Sequence, residues 1–236
     1  MSVKYNNRFL PKLVFFLFLF MVLFLINGCG GGSGGSNIDP SSFSAFLATG
    51  KISYEGGTTE DTLSASVAGP GVSGGWIEDV AGNKLAGSDL TLENVTGKYE
   101  TIVRRPAGGF PAGTYILKYF LNGQAYELKK ENMQWTTAPE FFPAPAPPTY
   151  DANSRILTVR YQPISGSSVS YYLRIYSATT GSLYRETPRT YGPEISEYLS
   201  ASGDFKVVLI AEVTENGAVT STARHSFSQT LIRAAN

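Results

Sequence analysis

Apolar positions along the chain follow two different patterns. From Leu13 to Ile26, "LVFFLFLFMVLFLI", fourteen residues in a row are apolar, which is short of the roughly 20 that a membrane-spanning helix needs. Beyond Asn37 the apolar residues come in short runs that alternate with polar ones or are rich in β-branched and aromatic side chains. The runs are "TLSASVA", "GGWIEDV", "DLTLENV", "KYETIVRR", "TYILKYFL" and "QAYELKK", then "RILTVRY", "SYYLRIYS", "FKVVLIAEV" and "AVTSTARHSF". A period of two places alternate side chains on one face of a strand, so both halves are predicted to be all-β. Tyr115, Leu117, Tyr119 and Leu121 alternate up to Asn122-Gly123, and Phe205, Val207, Leu209 and Ala211 run up to Asn216-Gly217. Asn-Gly between such runs predicts a tight hairpin at each place. "PSSFSAFLATG" fits a helical turn as well as a bent first strand.

A proline-rich break divides the alternating region. "APEFFPAPAPPT", from Ala138 to Thr149, holds five prolines in twelve positions. That composition favours a stiff polyproline II connector and excludes a central strand. The expected organisation is therefore a leader over 1–28, a glycine-serine leash over 29–37, one β-sandwich over 38–138, a linker over 139–148 and a second sandwich over 149–236. Each sandwich has a size common for that architecture.

The leader has a basic opening, with Lys4, Arg8 and Lys12, ahead of its apolar run. This is the layout of a cleaved secretory signal. It ends in "INGC", Ile26 to Cys29, which resembles the lipobox of bacterial lipoproteins. The resemblance implies a diacylglyceryl group on the Cys29 thiol, cleavage after Gly28 and acylation of the new amino terminus. Two or more acyl chains anchor a protein stably, at about 0.8 kcal/mol per buried CH₂. Cys29 is the chain's one cysteine, so the exported part folds without disulfides. "GGGSGGSN" after it has few side chains to pack and reads as a flexible leash. No aspartate follows the cysteine, which by the same resemblance favours the outer membrane. Cleavage removes three of the 19 basic residues and leaves 16 against 19 acidic ones, a net charge of about −3. With no basic tract, nucleic acid is not an expected partner.

From Pro147 to about Phe227 the second half resembles a fibronectin type III domain, in "PPTYDANSRILTVRYQP", "SVSYYLRIYSATTGS" and "YLSASGDFKVVLIAEVTENG". Tyr161 stands where that family usually has a tryptophan. Phe205 stands where it has the corner tyrosine, and it can fill a core but cannot donate a hydrogen bond. "FPAGTYILKY" in the first half has a related, immunoglobulin-like character, with Tyr115 the candidate corner tyrosine and Trp76 the candidate core aromatic. The expected fold class is thus all-β, two tandem immunoglobulin-like or fibronectin type III-like β-sandwiches.

The sequence offers little catalytic chemistry. His225, the sole histidine, shares strand parity with Val219, Ala223 and Phe227 and reads as a structural residue on the inner face. A general base would also need an orienting carboxylate and a nucleophile within reach. No phosphate loop, paired-histidine zinc motif or calcium loop is present. Adjacent acids such as Glu78-Asp79 point to opposite faces of a strand, and Asp79, Asn83 and Asp89 make a poor ligand set. No cofactor, metal or catalytic residue is expected. The surplus is aromatic: Tyr150, Tyr161, Tyr171, Tyr172, Tyr176, Tyr184, Tyr191 and Tyr198 crowd the second half. Tyr171 and Tyr172 face opposite ways, so at least one is expected at the surface. Tyrosine joins a rigid apolar face to a polar tip, which suits protein interfaces and sugar stacking. The residues singled out as contacts for a protein or glycan are Tyr172, Tyr176 and Tyr184. The expected function is a non-catalytic, membrane-tethered binding or assembly module, with a structural spacer of an envelope complex as the alternative.

Overall fold

The computed structural model describes residues 43–166 and 168–234, the last seven by their backbone alone. The leader, Cys29 and the leash lie outside the described residues. Everything described belongs to the compact unit Asp39–Asn236 and contains no helix. Its strands are β1 (Ser44–Tyr54), β2 (Thr59–Ala68), β3 (Val72–Asp79), β4 (Thr91–Glu93), β5 (Lys98–Pro106), β6 (Gly113–Leu121) and β7 (Gln124–Met133), then β8 (Thr149–Asp151), β9 (Ile156–Arg160), β10 (Val169–Ser177), β11 (Leu183–Glu186), β12 (Glu194–Tyr198), β13 (Gly203–Glu215) and β14 (Ala218–Ala234). The "SAFLATG" segment is therefore strand.

In the first half, β1-β2-β5-β4 faces β3-β6-β7, the four-plus-three arrangement of an immunoglobulin constant-type sandwich. Its core holds Leu47, Leu63, Val67, Ile77, Val103 and Leu117. In the second half, β11-β10-β13-β14 faces β12-β9-β8 over Leu157, Val159, Leu173, Ile175, Leu209 and Phe227. Both hairpins form at the Asn-Gly pairs. Asn122 and Gly123 have φ of 51° and 76°, and Asn216 and Gly217 have 51° and 78°. Positive φ at both central residues is what a type I′ turn requires.

The two halves share a sheet. β1 pairs in parallel with β14, Thr49 opposite Ser221 through Tyr54 opposite Ser226. The two four-stranded sheets thereby become one eight-stranded sheet, ordered β11-β10-β13-β14-β1-β2-β5-β4. Each three-stranded sheet covers part of one face of it. On the other face the sheet curls until β10 and β11 meet β5, and Arg174 of β10 bonds Glu100 of β5. Small side chains permit the close approach. β2 alternates core residues Leu63, Ala65 and Val67 with Thr62, Ser64 and Ser66, all six buried. Gly50 sits between Thr62 and Thr222, and a Cβ there would run into both hydroxyls.

Three expectations need correction. Trp76 is not the core aromatic of the first half. A register shift between Val72 and Gly74 precedes Gly75 and Ile77, and Ile77 is the buried one. Trp76 points outward, packs on Phe120 at 5.6 Å and donates its indole N–H to Glu78 at 2.6 Å. Trp135 takes the core place, stacked on Phe110 at 4.8 Å, with its N–H donated to the Thr62 carbonyl at 2.7 Å. The proline-rich stretch also does more than connect. Phe141 is part of the second core, 6.2 Å from Tyr161 and 6.3 Å from Tyr171. Third, Tyr171 and Tyr172 are both buried, because the face opposite the core is covered where the sheet curls.

The corner expectations divide between the halves. Tyr115 donates its hydroxyl to the Pro111 carbonyl at 2.8 Å, the tyrosine corner of this architecture. Phe205 fills the second core without such a bond. Tyr184 stands in for it: its ring lies 5.0 Å from Phe205, and its hydroxyl accepts the Ala201 N–H at 3.2 Å.

Candidate functional site

The curled face of the long sheet carries most of the buried charge. Arg174 donates to both oxygens of Glu100, at 2.5 and 2.8 Å, and through Nε to Glu186 at 2.8 Å. Lys98 adds a second cation 3.6 Å from Glu186. Burial alone would lower the Arg174 guanidinium pKa, but its hydrogen bonds to Glu100, together with the Glu100 charge and the neighbouring Tyr172 and Tyr176, raise it above its ordinary value. The same balance holds Glu186 below the usual carboxylate range: burial pushes it up, and Arg174 and Lys98 pull it further down. Beside this group, Glu212 accepts from Arg189 at 2.9 and 3.1 Å and from the Tyr172 hydroxyl at 2.8 Å. The Arg189 guanidinium lies 4.4 Å from the Tyr172 ring centre. Buried pairs of this kind add little net stability, but removing one partner is costly. Arg174 of the second half and Glu100 of the first form such a pair across the junction.

Of the residues singled out from sequence, Tyr172 is 2% exposed and its hydroxyl is engaged, so it presents no surface. Burial first, then the Glu212 charge, raises its pKa. Tyr176 and Tyr184 are half-buried, and the Tyr184 hydroxyl is held by Ser200 and Ala201. These three do not form one surface. Cys29 lies outside the described residues. Asp79 has both oxygens taken within its own turn, by the Ala81 and Asn83 N–H groups and the Asn83 side chain, while Asp89 pairs with Lys84. Among the described residues no cluster of three potential metal ligands occurs.

His225 lies on the inner face, 1% exposed, edge-on to Phe227 at 4.7 Å, with Nδ1 2.9 Å from the Ser53 hydroxyl. Burial lowers its pKa despite an opposing pull from Glu55. A Ser–His contact of this kind is short enough for proton transfer, but the ring is sealed from any substrate.

The aromatic surface is elsewhere. Tyr191 is 75% exposed and lines a cleft of about 660 Å³ between the two halves, opposite Phe43 and Tyr119 and near Arg189 and Val219. Phe43 packs on Tyr119 at 5.7 Å, and Tyr119 stacks on half-exposed Tyr126 at 5.8 Å. Tyr119 is itself 9% exposed and belongs to the first core, so the aromatic face the cleft presents is chiefly Tyr191 with partly exposed Phe43 beside it. A cleft of this volume suits a small ligand or a protruding segment of a partner. Sequence reasoning named Tyr191 among the surplus tyrosines without singling it out. The "TYGP" context around it was the available signal, since a tyrosine just before Gly-Pro falls in a loop rather than on a packed strand.

No protein-family model matches the chain, and no curated protein does. Among solved structures it is similar to three consecutive domains of titin, at 11% identity over 82% of this chain and 66% of that one, with a TM-score of 0.27. It is also similar to a chimeric titin Z1Z2 functionalized with a peptide from decorin, at 18% identity over 80% of this chain and 99% of that one, TM-score 0.24. A third likeness is to dimeric latent PorU from Porphyromonas gingivalis, at 15% identity over 78% of this chain and 20% of that one, TM-score 0.25. The chain thus spans just under two thirds of the three-domain titin segment and a fifth of PorU. At such TM-scores the likeness carries no argument, and the fold assignment rests on the strand order above. That order defines the class: a pair of immunoglobulin-like and fibronectin type III-like β-sandwiches, an architecture that serves binding and structural roles in many proteins.

Proposed function

We propose that the protein is a non-catalytic lipoprotein of the bacterial outer membrane, anchored through lipid on Cys29, whose paired sandwiches form a tethered binding or assembly module for a protein or glycan. The observation that carries the binding part is the cleft between the halves into which exposed Tyr191 is set, with Phe43 beside it. The lipid part rests on the lipobox-like "INGC" behind its basic and apolar segments. With Tyr172 internal, the contact surface moves from Tyr172, Tyr176 and Tyr184 to Tyr191 and its neighbours.

The alternative, a spacer or accessory subunit of a larger envelope complex, is favoured by the shared sheet, which fixes the two halves at one angle. One experiment separates the two readings. A photo-cross-linking residue is placed at position 191 and, as the control, at exposed Tyr198 on β12, in cells fed labelled palmitate. A discrete adduct at 191 alone supports the binding cleft, and its absence leaves the spacer. Palmitate incorporation that persists in a Cys29→Ala chain overturns the anchor.

A further inference from the structure

The curled face encloses a cavity of about 20 Å³ lined by Ser64, Ser66, Tyr172, Arg174, Glu212 and Arg224, among others. That is room for one water or one small ion. Lys98, Arg174, Arg189 and Arg224 are four cations around it, and Glu100, Glu186 and Glu212 are three carboxylates. Two of the four cations keep a solvated part, Lys98 at 28% and Arg189 at 39% side-chain exposure, so the group that matters is the buried Arg224. Glu100 is taken by Arg174, Glu186 by Arg174, Lys98 and Arg189, and Glu212 by Arg189 and Tyr172. Arg224 enters none of these pairs. It is 6% exposed, and its Nε has no hydrogen-bond partner. A guanidinium does not shed its proton to escape burial. The Ser64 hydroxyl, also on the cavity wall, is buried without a partner, as are the hydroxyls of Thr62 and Thr222 on the same sheet face.

We propose that this cavity binds one small monovalent anion of halide size, chloride being the commonest, held by the Arg224 guanidinium and the Ser64 hydroxyl. A water molecule would satisfy the hydrogen bonds but leave a buried positive charge uncompensated; an anion does both. The two carboxylates on the wall do not repel it strongly, because each is neutralised by its own arginine. The ligand would be structural, stabilising the junction between the two sandwiches.

The test compares thermal unfolding of the full chain in sodium chloride and in sodium gluconate at equal ionic strength, gluconate being too large for the cavity. Above saturation, each tenfold rise in chloride is expected to raise the melting temperature by about 3–5 °C, with no such rise in gluconate or in an Arg224→Met chain. Equal melting temperatures in the two salts overturn the proposal, as does a chloride effect that survives Arg224→Met. If that variant does not fold, crystals of the unaltered chain grown in sodium bromide decide. An anomalous peak touching Arg224 supports the site, and a water-like peak with no anomalous signal overturns it.

Discussion

Replacing Arg174 with methionine tests whether the curled face is a true interior. The substitution keeps most of the side-chain volume and removes the cation that holds Glu100 of the first half and Glu186 of the second. Those carboxylates are only 19% and 11% exposed, so both are left largely desolvated with their main partner gone. Removing one member of a buried pair costs about 3–5 kcal/mol. Lys98 and Arg189 each stay 3.6 Å from Glu186 and offset part of that, so the expectation is about 3 kcal/mol, the low end of that range. For a folded unit of roughly 200 residues this lowers the melting temperature by about 6–12 °C. Urea unfolding followed separately at Trp135, in the first core, and at a probe in the second should also lose its coincidence, because the junction is weakened more than either core. Adding Glu100→Gln and Glu186→Gln should recover most of the stability by removing the stranded charges. A loss below about 1 kcal/mol, the range of exposed ion pairs, would refute the reasoning, for it would mean that water reaches these groups.

Two further outcomes follow from other buried groups. His225 is held neutral, its pKa below the ordinary 6.5, so the unfolded chain binds a proton that the folded one does not. Its contribution is complete above pH 6.5 and is lost as the pH falls towards the folded value. Glu186, also lowered but from 4.5, loses its share only below that pH. Urea midpoints measured at pH 8, 5 and 3 should therefore fall in two stages, with the first stage missing in His225→Gln. Tyr184→Phe keeps the ring on Phe205 but removes the acceptor for the Ala201 N–H, and should cost about 1 kcal/mol in equilibrium unfolding. An unchanged midpoint would remove the substitute corner.

Local chemistry made part of this fold legible and long-range geometry hid the rest. The Asn-Gly turns, the core set Phe205, Val207, Leu209 and Ala211, and the Tyr115 corner all depend on residues a few positions apart. The inner-face placement of His225 followed from strand parity alone. Trp76 was misplaced because one register shift at Val72–Gly74 reverses which side of β3 faces inward. Tyr172 was misplaced for a different reason. Alternation tells which residues share a face, but not whether that face, polar in sequence, is later covered by another part of the same sheet. Thr62, Ser64, Glu100, Arg174 and Glu212 are polar side chains on that face, and no local pattern marks them as enclosed. The cleft at Tyr191 needs both halves in place, so no single segment could show it.

The parallel pairing of β1 with β14 also sets the order in which the molecule can be completed. Partners such as Thr49 and Ser221 are separated by nearly the whole folded chain, so this contact closes one of the largest loops available and forms late. Until β14 is in place, the first sandwich carries an open strand edge along β1. An open edge recruits other strands readily. Nascent chains, or chains cut short before Ala218, are therefore the vulnerable species, and the last hairpin serves the first half as its cover.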